Sequence, residues 1–250
     1  MPHFRSASLL AGLIAAALVS ACSKADASGG TAARAPGAST AVAPVAGVAT
    51  SLTTSTTDTL TDSLLIALAD RGRLLGKESS PIWIVMISDF QCPYCKNFHD
   101  DAMTRLRRDY IETGKARMAY LNLPLQQHQH AMIEAQAALC AGVQGQFWPF
   151  SEGLFARQAA VATMSTIQPL VDSLARHLKL DMGAFASCQQ RPAIRRLVDS
   201  DIQQATKAGV RSTPSFLVGD FLVEGAMPYA DFRKAIDTAL VVARSAKRSP

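Results

Sequence analysis

Apolar and polar positions divide the chain into a weakly patterned N-terminal stretch and a strongly patterned remainder. Ile82-Trp83-Ile84-Val85-Met86-Ile87 is an unbroken apolar run rich in β-branched residues, the mark of a buried central strand. Just beyond it, Phe98, Ala102, Leu106 and Tyr110 recur at helical spacing. Upstream, residues 58–68 predict a short amphipathic helix and residues 73–76 an edge strand. Residues 117–123 predict another strand, which Pro124 ends. The period then turns helical over 131–144, 146–158, 166–178, 182–190 and 193–208, with Asp181 placed to cap one of these helices. Phe216 to Val218 and Phe221 to Glu224 flank Gly219-Asp220, the pattern of a tight hairpin. A last helix carries Phe232, Ile236, Leu240 and Ala243 on one face. The order is strand, helix, strand, helical block, hairpin, helix, which is an α/β chain.

Composition explains the weak pattern at the start. Residues 1–21 read as an export signal: Arg5 supplies positive charge, and an apolar stretch from Leu9 to Val19 follows. That stretch is short for a membrane span. It closes on Val19-Ser20-Ala21-Cys22. A small-residue site before a cysteine resembles the lipobox of bacterial lipoproteins, which implies cleavage before Cys22 and lipid on it. The plainer reading is an ordinary secretory signal with Cys22 incidental. Ser23 after the cysteine, by the same resemblance, favours the outer membrane. From Cys22 to residue 57 the chain is largely Ala, Ser, Thr, Gly, Pro and Val, too poor in large apolar groups to build a core, and reads as a flexible tether. About 190 residues remain, enough for one well-filled core. The net charge of +5 is modest. The basic runs at Arg105 to Arg108 and Arg191 to Arg196 fit solvated helix faces, and neither aromatic interleaving nor a nucleic-acid motif accompanies them.

The chemistry concentrates in Cys92-Pro93-Tyr94-Cys95, between the central strand and the following helix. Cys92 falls at the helix start and Pro93 at the favoured first helical position. Unpaired N–H groups and the positive helix end lower a thiol pKa there, so the pair reads as a redox centre. Half of a zinc site is the competing reading, but Cys140 and Cys188 stand apart, without a second CxxC or a CxxH. An inert disulfide is another, which the strand–CPxC–helix context disfavours. With Cys22 set aside, four cysteines allow three pairings. If Cys92 pairs with Cys95, then Cys140 and Cys188 are either a structural pair, whose loop closure contributes about 3–4 kcal/mol, or two buried thiols. Asp89, three residues before Cys92, is either a proton acceptor or a solvated strand-end carboxylate. His128 and His130 lack evident metal-ligand partners and read as surface or helix-start residues. Trp83 and Trp148 read as packing residues, and the eight methionines form no copper-like cluster.

Ser88-Asp89-Phe90-Gln91-Cys92-Pro93-Tyr94-Cys95, a helical insertion, and Gly209-Val210-Arg211-Ser212-Thr213-Pro214-Ser215-Phe216 together resemble the DsbA-like thiol–disulfide oxidoreductases of the thioredoxin-fold superfamily. The likeness runs from about Arg73 to the C-terminus. It implies a thioredoxin fold with a helical domain inserted at about 125–208, within a folded region of 58–250. It implies that Pro214 is a cis proline facing the sulfurs and that Thr213 offers an edge to a substrate strand. Cys92 is then the exposed nucleophile, Cys95 the buried resolving partner, and Pro93 and Tyr94 tune the thiolate. The surroundings of Cys140 and Cys188 resemble the two ends of a second disulfide found in such helical domains. The expected function is an exported, membrane-tethered oxidoreductase of the bacterial periplasm. It acts on cysteine-containing clients as an oxidase, needs no bound cofactor or metal, and is recharged by a membrane or periplasmic redox partner. The alternatives are an isomerase or reductase, and a client-binding module without turnover.

Overall fold

The computed structural model describes residues 5–6 and 60–246. The expected lipidation site, Cys22, lies outside them, as do the leader and tether apart from Arg5 and Ser6. A mixed sheet is built from β1 (Arg5–Ser6), β2 (Leu74–Leu75), β3 (Ile82–Ser88), β4 (Ala116–Asn122), β5 (Ser215–Val218) and β6 (Phe221–Glu224), in the order β1-β6-β5-β3-β4-β2. β3 is central. It runs parallel to β4, with Ile84 opposite Met118 and Ser88 opposite Asn122, and antiparallel to β5, with Ile87 opposite Ser215. The other pairs are antiparallel.

The crossover from β3 to β4 is α2 (Pro93–Phe98), a π turn at His99–Met103, α3 (Thr104–Leu106) and a second π turn at Arg107–Ile111. The pattern predicts one uniform helix here. Its buried stripe, Phe98, Ala102, Leu106 and Tyr110, repeats every fourth residue. In a 3.6-residue helix such a stripe drifts by about 40° per step. The wider π turns take up that drift and keep all four side chains against the sheet, each at most 3% exposed.

α1 (Asp62–Gly72) begins four residues later than its apolar pattern suggests. Thr61 caps it by accepting the Leu64 N–H at 3.3 Å, and Asp62 then pairs with Arg191 and Arg196. A Cβ on Gly72 would stand 2.3 Å from the Gly142 carbonyl oxygen, so glycine is what lets α1 lie against α4 (Ala131–Val143). The insertion continues with α5 (Phe147–Ala156), a separate turn α6 (Gln158–Val161), α7 (Gln168–His177), α8 (Met182–Gln190) and α9 (Pro192–Lys207). The predicted single helix over 146–158 is thus broken at Arg157. Asp181 caps α8 through the Ala184 N–H at 2.9 Å. Cys140 of α4 and Cys188 of α8 are joined as a disulfide. α10 (Tyr229–Ala246) closes the chain. It sets Phe232 against Phe98 and Phe216, with ring centroids 5.1 and 4.6 Å apart.

The basic runs are largely neutralised within the fold: Arg105 pairs with Asp101, Arg107 with Glu152 and Arg108 with Asp109. No helix among the described residues is long and apolar enough to cross a membrane. Arg73, expected within an edge strand, is instead the residue just after α1. Its guanidinium reaches Asp201 of α9 at 2.5 Å, and the same carboxylate oxygen accepts the Asn122 backbone and side-chain N–H groups at 3.1 and 2.9 Å. Asp201 is fully buried. This network ties the sheet to the insertion. Replacing Asp201 by Ala would leave the guanidinium buried beside Asp70 alone, and should cost about 3–5 kcal/mol. Urea unfolding of Asp201→Ala measures it; a loss below about 1 kcal/mol would show that the network does not join the two layers.

Candidate active site

The turn from β3 into α2 positions the sulfurs. Cys92 is the N-cap of α2, with extended backbone at φ −73° and ψ 120°, and Pro93 is the first helical residue. Proline loses nothing there, because first-turn N–H groups have no helical partner. The Cys92 N–H donates to the Asp89 carbonyl, and the Lys96 N–H to the Cys92 carbonyl, each at 3.1 Å. Both cysteines are thiols. From the opposite side comes the loop before β5, where the Thr213–Pro214 peptide is cis. Its Thr213 carbonyl oxygen accepts from the Cys92 thiol at 3.3 Å. The Ser215 hydroxyl donates to the Ser212 carbonyl at 2.8 Å, and the Gly225 N–H to the Pro214 carbonyl at 2.8 Å, which hold that loop in place.

The structure corrects one expectation. Cys92 is not exposed: it is 4% accessible, little more than Cys95 at 2%, because its sulfur faces Thr213 rather than solvent. Tyr94 is the open residue of the motif, at 64%. The two sulfurs nevertheless differ sharply in acidity. The Cys95 thiol, hydrogen-bonded to its neighbour, lowers Cys92 to about 6, against the opposing effect of burial; the Thr213 side chain and the backbone N–H groups of Cys95 and Tyr94 add to the lowering. Burial pushes Cys95 far above the ordinary thiol value, and the charge of Cys92 pushes it further. At neutral pH one sulfur is a thiolate and the other holds a proton.

Asp89 is neither solvated nor poised beside a sulfur. One oxygen accepts the Gln91 N–H at 2.7 Å; the other accepts the Leu125 N–H at 2.8 Å and meets His128 Nδ1 at 2.7 Å. It binds the active-site turn to the segment that enters the insertion. His130 stands at the N-cap position of α4 without a side-chain capping bond and meets the Met164 carbonyl through Nε2 at 2.9 Å. Trp148 packs against Tyr120 and Phe147, and Trp83 lies under the Arg117 guanidinium.

Several residues near the pair give no motif. Gln158, at the start of α6, donates its amide to the Phe90 and Cys92 carbonyls at 2.7 and 3.1 Å. Gln91 donates to Glu134 at 3.0 Å. Glu134 is buried and, mainly through desolvation, raised to about 7. One signal for it does exist: Glu134 is the sole charged residue of the largely apolar α4. A groove of about 570 Å³ opens beside Pro93, with Gln91, Lys96, His128 and Gln158 on its walls. Among the described residues no cluster of His, Cys, Asp and Glu is arranged to hold a metal ion.

A strand–CPYC–helix turn facing a cis-Pro loop, on a mixed sheet with a helical insertion, defines a thioredoxin-fold protein of the thiol–disulfide oxidoreductase class. The thioredoxin family profile matches residues 69–238, and the chain belongs to that family. It is 26% identical to disulfide bond formation protein D of Bacillus subtilis, over 67% of this chain and 76% of that protein. It is 31% identical to a Na(+)/H(+) antiporter NhaA 1 of Salinispora arenicola, over 60% of this chain but only 22% of that protein. Its fold is similar to the crystal structure of alpha-DsbA1 from Wolbachia pipientis, with a TM-score of 0.61, 22% identity, and coverage of 70% of this chain and 94% of that one.

Alkylation of the reduced protein by iodoacetamide should follow the Cys92 thiolate, with a midpoint near pH 6. Cys95→Ala removes the largest stabiliser of that thiolate and should move the midpoint upward. An unmoved midpoint would mean that the helix end and Thr213 suffice without the second thiol.

Proposed function

We propose that this chain is an exported, membrane-tethered oxidase that passes a Cys92–Cys95 disulfide to cysteine pairs in client proteins. The observation that carries the reading is the contrast between a Cys92 thiolate stabilised at a helix start and a Cys95 thiol kept protonated. Stabilising the thiolate stabilises the reduced form, and a stable reduced form makes the disulfide a stronger oxidant. The likeness to the disulfide bond formation protein D of Bacillus subtilis supports the same direction.

In this reading a client thiolate attacks the Cys92 sulfur. The Cys92–Cys95 bond breaks and a client–Cys92 bond forms. A second client thiolate then attacks the client sulfur of that bond, forming the client disulfide and releasing Cys92 as a thiolate. Two electrons have moved from client to protein, and an external redox partner must remove them. Pro93 fixes the helix start beside the nucleophile, and exposed Tyr94 meets the client. The loop of Thr213 and Pro214 presents main-chain groups on which an extended client strand can dock. The Cys140–Cys188 bridge braces α4 against α8 behind the site. Cleavage before Cys22 and lipidation of it would anchor the protein to a bacterial membrane facing the periplasm, the outer membrane by the Ser23 criterion. The tether of about 35 residues would give the domain a reach of roughly 30–35 Å.

The reduction potential of the pair, equilibrated in glutathione buffers with Cys92→Ser as control, tests the direction. A value toward about −120 mV supports the oxidase, and one toward about −270 mV would overturn it in favour of a reductase or isomerase. Retention of client-directed activity by Cys92→Ser would instead indicate a binding module.

A further inference from the structure

The turn that carries Cys92 is short of main-chain donors. The Cys92 N–H reaches back three residues to the Asp89 carbonyl. The same step taken from residue 93 would satisfy the Phe90 carbonyl, but Pro93 has no N–H. A side chain of the insertion makes up the deficit. Gln158 donates its carboxamide to the Phe90 carbonyl at 2.7 Å and to the Cys92 carbonyl at 3.1 Å. A carboxamide has two N–H donors, and both are used here. Phe90 and Cys92 are 1% and 4% exposed, so water is a poor substitute for them. Gln158 is brought to this place by packing on either side of it. Phe155 lies against Phe90 and His99, with ring centroids 5.2 and 4.9 Å apart, and Val161 is 1% exposed. Between these anchors the chain breaks at Arg157, and Gln158 opens α6.

We propose that Gln158 is a positioning residue for the thiol chemistry, holding the Phe90 and Cys92 carbonyls so that their partial negative charge does not oppose the Cys92 thiolate. This rests on the reading of Cys92 as nucleophile. A carbonyl oxygen close to an ionised sulfur disfavours the charge, and an N–H donated to that oxygen offsets part of the effect. Gln158 acts through the main chain, and the consequence falls at two points. In client release, a second client thiolate attacks the client sulfur of the mixed disulfide. The bond to Cys92 breaks, and Cys92 takes its electron pair and leaves as a thiolate. A better stabilised thiolate leaves faster. At equilibrium the same stabilisation favours the reduced pair, which makes the disulfide the stronger oxidant. The insertion thereby sets how oxidising the pair is, through one amide. The other charged or titratable groups around Cys92 are Asp89, Tyr94, Cys95 and Lys96 in its own segment, and His128, Arg157 and Arg211 on neighbouring segments. All of these stay constant when Gln158 alone is replaced.

Alkylation of the reduced full-length protein by iodoacetamide across pH, followed at Cys92 by mass spectrometry, reads the thiolate directly. Gln158→Met keeps the length of the side chain and removes both donors. The expected result is a Cys92 midpoint raised by about half a pH unit, and an equilibrium with glutathione moved about threefold toward the disulfide form. Gln158→Glu places a carboxylate against the same two carbonyls and should raise the midpoint further. Gln158 is half-buried on the wall of the groove beside Pro93, so neither substitution opens the core. A merely structural role would change stability and leave the midpoint in place. A midpoint and a glutathione equilibrium in Gln158→Met equal to those of the parent would overturn the proposal, as would a Gln158→Glu midpoint no higher than the parent's. A parent protein whose midpoint lies at the ordinary thiol value would instead overturn the thiolate reading on which the proposal rests.

Discussion

The structure depends on one packing contact, that of α2 against β5 beneath the active-site turn. Phe98 meets Phe216 with ring centroids 4.4 Å apart, and Phe232 of α10 closes on both. All three are at most 2% exposed. Three buried aromatic rings contribute several kcal/mol together, so the helix start and the loop before β5 have little freedom to separate. Their rigidity is what brings Cys92 and Thr213, 121 positions apart in sequence, to 3.3 Å. The low Cys92 pKa draws on the same rigidity, because a thiolate is stabilised only by donors already in place, here the Cys95 thiol and the N–H groups of Tyr94 and Cys95.

A second set of contacts ties the site to the insertion, and it is polar. Asp89 takes N–H groups from both sides of the junction, Gln158 reaches back to the Cys92 carbonyl, and Gln91 spans to Glu134. Buried hydrogen bonds of this kind are directional, and an unpaired partner is expensive. They fix the register of the insertion on the thioredoxin core more sharply than apolar contact alone. The Arg73–Asp201–Asn122 network does the same at the other end of the interface.

Much of this architecture is legible in the residues. The run from Ile82 to Ile87 is the central strand, Gly219-Asp220 is the hairpin turn, and the helical block falls within a few residues of its pattern. Misses occur where local signals compete with long-range partners. α1 starts at Asp62 because Arg191 and Arg196 meet it there, more than 125 positions away. The π turns reflect the demand of the sheet on a four-residue stripe, which the helix alone does not express. The burial of Cys92 escaped the reading because the residue that covers it lies in another segment.

Taken alone, the sequence settles what local chemistry settles: apolar runs that must be buried, turns that need Gly or Pro, and a CPYC pair at a helix start. It also marks Thr213 and Pro214 by their resemblance to a family motif. Tertiary structure decides the state of each ionisable group, because a pKa is set by neighbours, and those neighbours come from distant parts of the chain. Asp89 and Glu134 are both carboxylates close to the pair in space. One receives three donors and serves as a pin; the other receives one and sits near neutrality. That difference is made by burial and by hydrogen-bond count, neither of which is written at a single position of the sequence.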